Sequence, residues 1–257
     1  MERIAITGAA GLIGRLLSAD LSTDHQVTSL DRAWRSGALR LRQNTRRISF
    51  AQQAFTGASA VIDLAANPQA GVGWRVATRN NIPATLGCFE AARRAGVKRV
   101  IYASSNHVTG LYERDEPYRS ICAGDLDELE PMSIPRITSS WPIRPDGPYA
   151  VGKVLGEASA RYYAEEYGMS IICIRIGTVY ADDRPKSPRG FATILTHADM
   201  TRLVRACLSA RPEVSFGVVY GVSANTWRFW DTDEAKQLVG WEPLDDAERW
   251  RSSGADS

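Results

Sequence analysis

Lysine is scarce in this chain. Lys98, Lys153, Lys186 and Lys236 are the only four among 31 basic residues, so arginine carries nearly all the positive charge. The 29 acidic residues leave a net charge of +2, too little to gather nucleic acid or an anionic membrane. Histidine is limited to three residues, and the four cysteines (Cys88, Cys122, Cys173, Cys207) show no CxxC spacing and no nearby histidine pair. Zinc-site and disulfide-framework classes are excluded on that pattern, and no metal is expected. Long hydrophobic runs are also missing: Ile171 to Ile174 is typical, far short of the roughly 20 residues that span a bilayer. Glycine arrives at Gly8, too early for the apolar core of a secretory signal. The expectation is a cytoplasmic chain with no membrane or nucleic-acid partner. The 44% apolar and 23% charged residues, over 257 positions, suit one large globular domain with a small appendage.

Short β-branched runs alternate with helical patterns through the first 175 residues or so. Strands are predicted at Arg3–Thr7, Gln26–Asp31, Ala60–Ala65, Arg99–Ser104 and Ile171–Arg175. Helices are predicted at Leu12–Leu21, Ala84–Ala95 and Tyr149–Tyr167. Such alternation predicts an α/β fold, a doubly wound parallel sheet of Rossmann type. Beyond it, a helix at His197–Ala210, a strand at Val214–Tyr220 and a helix at Asp233–Val239 read as a small C-terminal substrate-binding cap. The division expected is 1–178 for dinucleotide binding and 179–257 for substrate, interleaved with the core. Two stretches break the rhythm: 113–145 holds five prolines and a cluster of acids and reads as a long loop with one short helix, of the kind that serves as a lid or mobile excursion, and 181–190 is rich in Pro, Asp and Arg.

The first strand runs into Gly8-Ala9-Ala10-Gly11-Leu12-Ile13-Gly14 and then a helix. In that setting the first glycine allows a tight turn, the second lets backbone approach a pyrophosphate, and the third lets helix and strand pack closely. The helix N-terminus adds free N–H groups and a positive dipole end. Asp31, closing the second strand, is placed to accept hydrogen bonds from adenosine ribose hydroxyls, which favours NAD. Arg32 and Arg35 beside it would suit a 2′-phosphate, so NADP stays open.

Tyr149 and Lys153 form the chain's one Tyr-x-x-x-Lys spacing, on one face at the start of a long predicted helix. A phenol with a pKa of about 10 is a poor base at neutral pH, but a neighbouring ammonium favours its ionised form. Ser105, just past the Arg99–Ser104 strand, is placed to donate to a reacting oxygen.

Together TGAAGLIG, DLAA at Asp63 to Ala66, YASSNH at Tyr102 to His107 and YAVGK at Tyr149 to Lys153 resemble the extended short-chain dehydrogenases/reductases, the NAD-dependent epimerase/dehydratase superfamily. Within it, SSNH at Ser104 to His107, RPDGPY at Arg144 to Tyr149 and RIG at Arg175 to Gly177 are similar to uronate dehydrogenases and related sugar dehydrogenases. The resemblance implies Tyr149 as general base, Lys153 as ribose ligand and Ser105 as substrate-hydroxyl anchor. It implies Asn106 and His107 along a sugar pocket, and Asn81 in support of the active-site helix and a relay water. Leu12, Ile13, Leu64, Ala65 and Ala66 would run along the cofactor, with Thr178 near the nicotinamide amide. Arg189 matches an arginine that clamps a sugar carboxylate, a task suited to its planar fork. A homodimer or larger homo-oligomer is implied as well.

Three departures stand against uronate itself. Ile48-Ser49-Phe50 replaces the Asp-Leu that meets adenine, Pro68 replaces a serine that contacts substrate, and the 113–145 segment is longer than in uronate dehydrogenases. Only about 80 residues follow Arg175, too few for the cap that holds a nucleotide sugar, so a small free sugar, sugar acid or cyclic polyol is expected. The alternatives are an epimerase or dehydratase that uses NAD(P) transiently, and a redox sensor that binds the cofactor without catalysis. The first lacks VYG after the serines, where Val108-Thr109-Gly110 stands, and an Asp-Glu pair, where Asn106-His107 stands. The second would have lost the Tyr/Lys pair.

Overall fold

The computed structural model describes residues 1–32, 40–42 and 47–252. Seven strands form one parallel sheet: β1 (Arg3–Thr7), β2 (Gln26–Asp31), β3 (Arg40–Arg42), β4 (Ala60–Asp63), β5 (Arg99–Ala103), β6 (Ser170–Ile176) and β7 (Phe216–Gly221). Their spatial order is β3-β2-β1-β4-β5-β6-β7, so the chain reverses direction across the sheet between β1 and β4. Ligands of such sheets bind outside the carboxyl ends of the strands at that reversal.

The two-residue side-chain period of each strand explains why the sheet is covered on both faces. Ile4, Ile6, Ile62, Ile101, Ile172 and Ile174 point into one apolar layer, and Ala5, Val61, Val100, Ile171 and Cys173 into the other. Helices α1 (Leu12–Leu21) and α8 (His197–Leu208) cover the first face through Leu17, Leu21, Leu203 and Cys207. The second is covered by α2 (Ile48–Phe55), α4 (Ile82–Arg94) and α6 (Pro148–Tyr167), through Phe55, Phe89 and Ala160. A short helix α3 (Trp74–Val76) and a π-helical stretch, Ala77–Asn81, lead into α4. Trp241 also lies in the first layer and Trp230 in a third cluster, so both tryptophans are packing residues.

The segment 113–145 is more regular and better packed than the long loop that its composition suggests. A 3-10 helix spans Asn106–Arg114, α5 covers Tyr118–Ala123, and a further 3-10 turn covers Pro131–Ser133. Tyr112, Tyr118, Ile121, Ile134 and Ile137 are buried against Phe229, Trp230 and Tyr220, and form that third apolar cluster. Ile137 N donates to Phe229 O at 2.8 Å while Asp231 N donates to Ile137 O at 3.0 Å. Apolar residues dispersed among prolines and acids have no period to read, yet here they make a core of their own. The chain from residue 179 onward supplies β7, completing the sheet beside β6, together with α7 (Pro188–Thr193), α9 (Asp233–Val239) and α10 (Glu248–Ser252).

Candidate active site

At the carboxyl end of β1 the chain must turn into α1 within a few residues. Gly8 does this with φ of 65°, and a Cβ there would lie 2.6 Å from the Leu64 carbonyl oxygen. A Cβ on Gly14 would run into the Gly8 carbonyl and Ala9, so α1 packs on the turn only because Gly14 has none. Gly11 caps α1 with no side-chain hydrogen bond, and no acid occupies the first turn, so no side chain of the helix itself neutralises its N-terminus, whose residues Gly11 to Gly14 line the cavity. Asp31 leans onto the same turn, accepting a hydrogen bond from Ala10 N at 2.9 Å. Beneath it, Thr7 Oγ1 donates to Asp63 Oδ1 at 2.6 Å and accepts from Leu64 N at 3.1 Å, tying the ends of β1 and β4 together. Burial pushes the Asp63 carboxyl up, against the opposing hydrogen bond from Thr7.

A cavity of about 460 Å³ opens over these strand ends. Its walls bring together Gly8, Gly11, Leu12, Ile13, Gly14, Asp31, Leu64, Ala66, Ser105, Asn106, His107, Tyr149, Lys153, Thr178 and Arg189, with Pro68 beside them. Arg32, Ala65 and Asn81 are not on those walls. Arg32 is exposed past the end of β2, and Arg35 lies outside the described residues. Ala65 N donates to Asp63 Oδ1 at 3.3 Å. Asn81, buried in the π-helical stretch, accepts from Asn67 N at 2.8 Å and donates to Asn67 O at 3.1 Å. Its amide clasps the peptide of the loop after β4 and so braces that loop beside the cavity.

Tyr149 and Lys153 are both buried, one helical turn apart near the start of α6. The Lys153 ammonium lies 5.6 Å from the Tyr149 ring centroid and donates to Ala103 O, the last residue of β5, at 2.6 Å. That bond fixes the cation between helix and sheet. The His107 ring meets Tyr149 edge-on at 6.2 Å, and its Nδ1 is 2.5 Å from Asp146 Oδ2. Since a carboxylate only accepts, the Nδ1 proton faces Asp146. Ser105 caps the 3-10 helix by accepting from His107 N at 3.3 Å, and its hydroxyl donates to Asn106 Oδ1 at 3.3 Å. Asn106 is 2% exposed, yet its Nδ2 has no hydrogen-bond partner in the protein. Such an unpaired buried donor is costly, and Asn106 belongs to the cavity wall.

Two arrangements were hidden in the sequence. The carboxylate clamp implied for Arg189 is already filled by the chain itself. Arg189 Nε and Nη2 donate to the two oxygens of Glu113 at 2.6 and 2.7 Å, and Nη1 donates to Thr178 Oγ1 at 3.1 Å. Cys122 Sγ approaches the same carboxylate at 3.6 Å; burial, aided by the charge of Glu113, pushes its thiol up to about 12 and keeps it a donor. Glu113 could not be paired with Arg189 beforehand because 76 positions separate them. Below the site runs a second buried pair. Arg175 binds Glu157 through two 2.9 Å bonds and Tyr220 through one of 3.0 Å, while Ser104 donates to Glu157 at 2.5 Å. Tyr220 OH and Thr109 Oγ1 are 2.9 Å apart, and Thr109 donates to Asn106 O at 3.2 Å. Burial opposes the charge on Arg175, but the Glu157 carboxylate outweighs it and holds the guanidinium above its ordinary range. The RIG motif carried the arginine of this network; its partner on α6 had no comparable signal.

A family model described as the NAD dependent epimerase/dehydratase family matches residues 4–228. The chain belongs to that family. Among its relatives is the L-arabinose 1-dehydrogenase (NAD(P)(+)) of Haloferax volcanii, 31% identical over 96% of this chain and 98% of its own. The uronate dehydrogenase of Pseudomonas syringae pv. tomato is 38% identical over 67% of this chain and 54% of its own. Among solved structures, a mutated uronate dehydrogenase superposes with a TM-score of 0.83 at 31% identity, covering 98% of this chain and 85% of that one. A variant of the Agrobacterium tumefaciens enzyme, solved with NAD, gives 0.82 at 26% identity, with 98% and 88% covered. NAD is the cofactor of the family. The glycine cradle, the uncapped start of α1 and Asp31 together fit it in this chain.

Proposed function

We propose that this chain is an NAD-dependent oxidoreductase acting on a ring hydroxyl of a small free sugar or sugar acid. The observation that carries the reading is the meeting of Tyr149, Lys153 and Ser105 on the wall of one cavity with the glycine cradle. Bound in that cradle, NAD supplies the hydride acceptor. The Tyr149 phenol oxygen is the base that takes the hydroxyl proton. Lys153, 5.6 Å from the ring and anchored on Ala103 O, stabilises the negative charge on that oxygen, as does the N-terminal dipole of α6. Ser105, on the cavity wall beside Asn106, orients the reacting hydroxyl, and His107, held by Asp146, borders the same space. Residues 1–178 serve the dinucleotide and 179–257 contribute Arg189 and β7 on the substrate side.

The test is the absorbance of NADH while the purified protein meets NAD or NADP and a panel of aldoses and uronates. Net accumulation with at least one sugar is expected; isomerised sugar with no accumulation would mean an epimerase. In the same assay Asp31→Ala should weaken NAD by about tenfold or more and NADP much less, since one ribose-facing carboxylate is lost. Equal losses for both would mean that Asp31 serves only to hold Ala10.

Among the described residues no helix is long and apolar enough to cross a membrane. We take the protein to work in the cytoplasm and to form a homo-oligomer; the second reading is supported by Leu86 on α4 and Leu155 and Tyr162 on α6, large apolar side chains that all stand exposed. Light scattering on a sizing column should give a mass of at least twice 28.2 kDa; a monomer at micromolar concentration would refute it.

A further inference from the structure

Arg189 shares the cavity wall with Ser105, His107 and Tyr149, where a substrate must lie for Tyr149 to reach it. A guanidinium is the side chain best suited by charge and shape to grip a carboxylate. This one has little left to offer. Nε and Nη2 are taken by Glu113, and Nη1 approaches Thr178 Oγ1 at 3.1 Å and Thr193 Oγ1 at 3.5 Å. Of five N–H donors, one on Nη2 remains uncommitted.

We propose that Glu113, which does not itself line the cavity, holds the fork of Arg189 that would otherwise serve a substrate carboxylate, so that this enzyme selects uncharged sugars over sugar acids. The inference rests on the reading of the site as that of a sugar dehydrogenase. Both partners are largely buried, with side chains 27% and 17% exposed for Arg189 and Glu113. An incoming carboxylate would therefore find the guanidinium already neutralised, and winning Arg189 would leave the largely buried Glu113 without its counter-ion. Glu113 is also held in place. Leu111 N donates to Arg144 O at 2.9 Å and Arg144 N to Val108 O at 3.0 Å, which braces the 3-10 helix bearing Glu113. Tyr112, beside it, packs on Trp141 at 5.3 Å and donates to Pro142 O at 3.1 Å. The segment 113–145 thus acts on specificity by delivering one carboxylate to Arg189, the cation on the cavity wall. By name, the relatives include both kinds of enzyme, one for a neutral pentose and one for uronates.

L-Arabinose, D-galactose and D-galacturonate share the configuration of their ring hydroxyls and differ in what the ring carbon bears: hydrogen, a hydroxymethyl group or a carboxylate. With NAD, kcat/KM for galacturonate should lie about 100-fold or more below that of the better neutral sugar. Glu113→Gln should raise the galacturonate value by about tenfold or more, and Glu113→Ala should do so too, with NAD affinity and melting temperature monitoring the fold. Galacturonate oxidised by the native enzyme within about threefold of the neutral sugars would overturn the proposal, as would no gain in either folded variant. If no sugar is oxidised at all, the dehydrogenase reading fails, and calorimetry with D-galacturonate on the NAD-loaded protein decides the inference separately. Tighter binding by Glu113→Gln would sustain it; equal binding, or none in both proteins, would sink it.

Discussion

Replacing Tyr149 by phenylalanine should lower kcat by about 10²- to 10⁴-fold, the range for loss of a positioned general base. The change removes one oxygen and little else. The ring's edge-on contact with His107 and its place 5.6 Å from the Lys153 ammonium do not depend on the hydroxyl, and Lys153 keeps its 2.6 Å bond to Ala103 O. The dissociation constant for NAD should accordingly change by less than about threefold and stability by less than about 1 kcal/mol. A loss confined to kcat, with cofactor binding intact, identifies an interaction made as the proton leaves. Retention of more than about a tenth of kcat would show that another group takes the proton, because one missing base cannot cost so little. Lys153→Met is a harsher change, since it also strips the β5 carbonyl of its donor and mixes chemistry with packing.

How far the primary structure could be read depends on whether each feature was local. The cradle was legible because strand, Gly8-x-x-Gly11-x-x-Gly14 and helix follow one another within about 20 residues, and the steric demands at Gly8 and Gly14 are of that neighbourhood. Tyr149 and Lys153 were legible because one helical turn places them together. Element boundaries moved by a residue or two, as at β6, which runs Ser170–Ile176 where Ile171–Arg175 was expected. The packing of the 113–145 segment is not legible locally because it comes from Phe229, Trp230 and Tyr220, roughly a hundred positions away. For Arg189 the resemblance supplied a role that presumes an empty fork, and no local pattern announces that Glu113 will fill it. Asn81 was assigned near the chemistry, yet its two bonds go to Asn67. For Arg189 and Asn81 alike, a polar group is claimed by a partner that no local pattern announces.

Glu157 provides the larger structural test. It lies one turn beyond Lys153 on α6, nearly buried, and accepts two bonds from Arg175 and one from Ser104, the residue next to Ser105. Truncation to leucine leaves the Arg175 guanidinium charged inside the protein with only Tyr220 near it. A broken buried pair of this kind costs about 3–5 kcal/mol. For a chain of this size that corresponds to a fall in melting temperature on the order of 10 °C. The double variant Glu157→Leu/Arg175→Met removes both charges and should recover most of the lost stability, since well-packed apolar replacements of buried ion pairs are often neutral. Its activity should not recover in step. Ser104 would still lack its acceptor, and Tyr220, which reaches Thr109 and through it the Asn106 carbonyl, would have lost Arg175. The expected signature is a near-native melting temperature with kcat lowered by about tenfold and NAD affinity unchanged, because a small displacement of oriented groups is costly to rate. Were kcat to return together with the melting temperature, the pair would prove a stabilising element alone, and the placement of Ser105 and Asn106 would have to be credited to β5 and the 3-10 helix themselves.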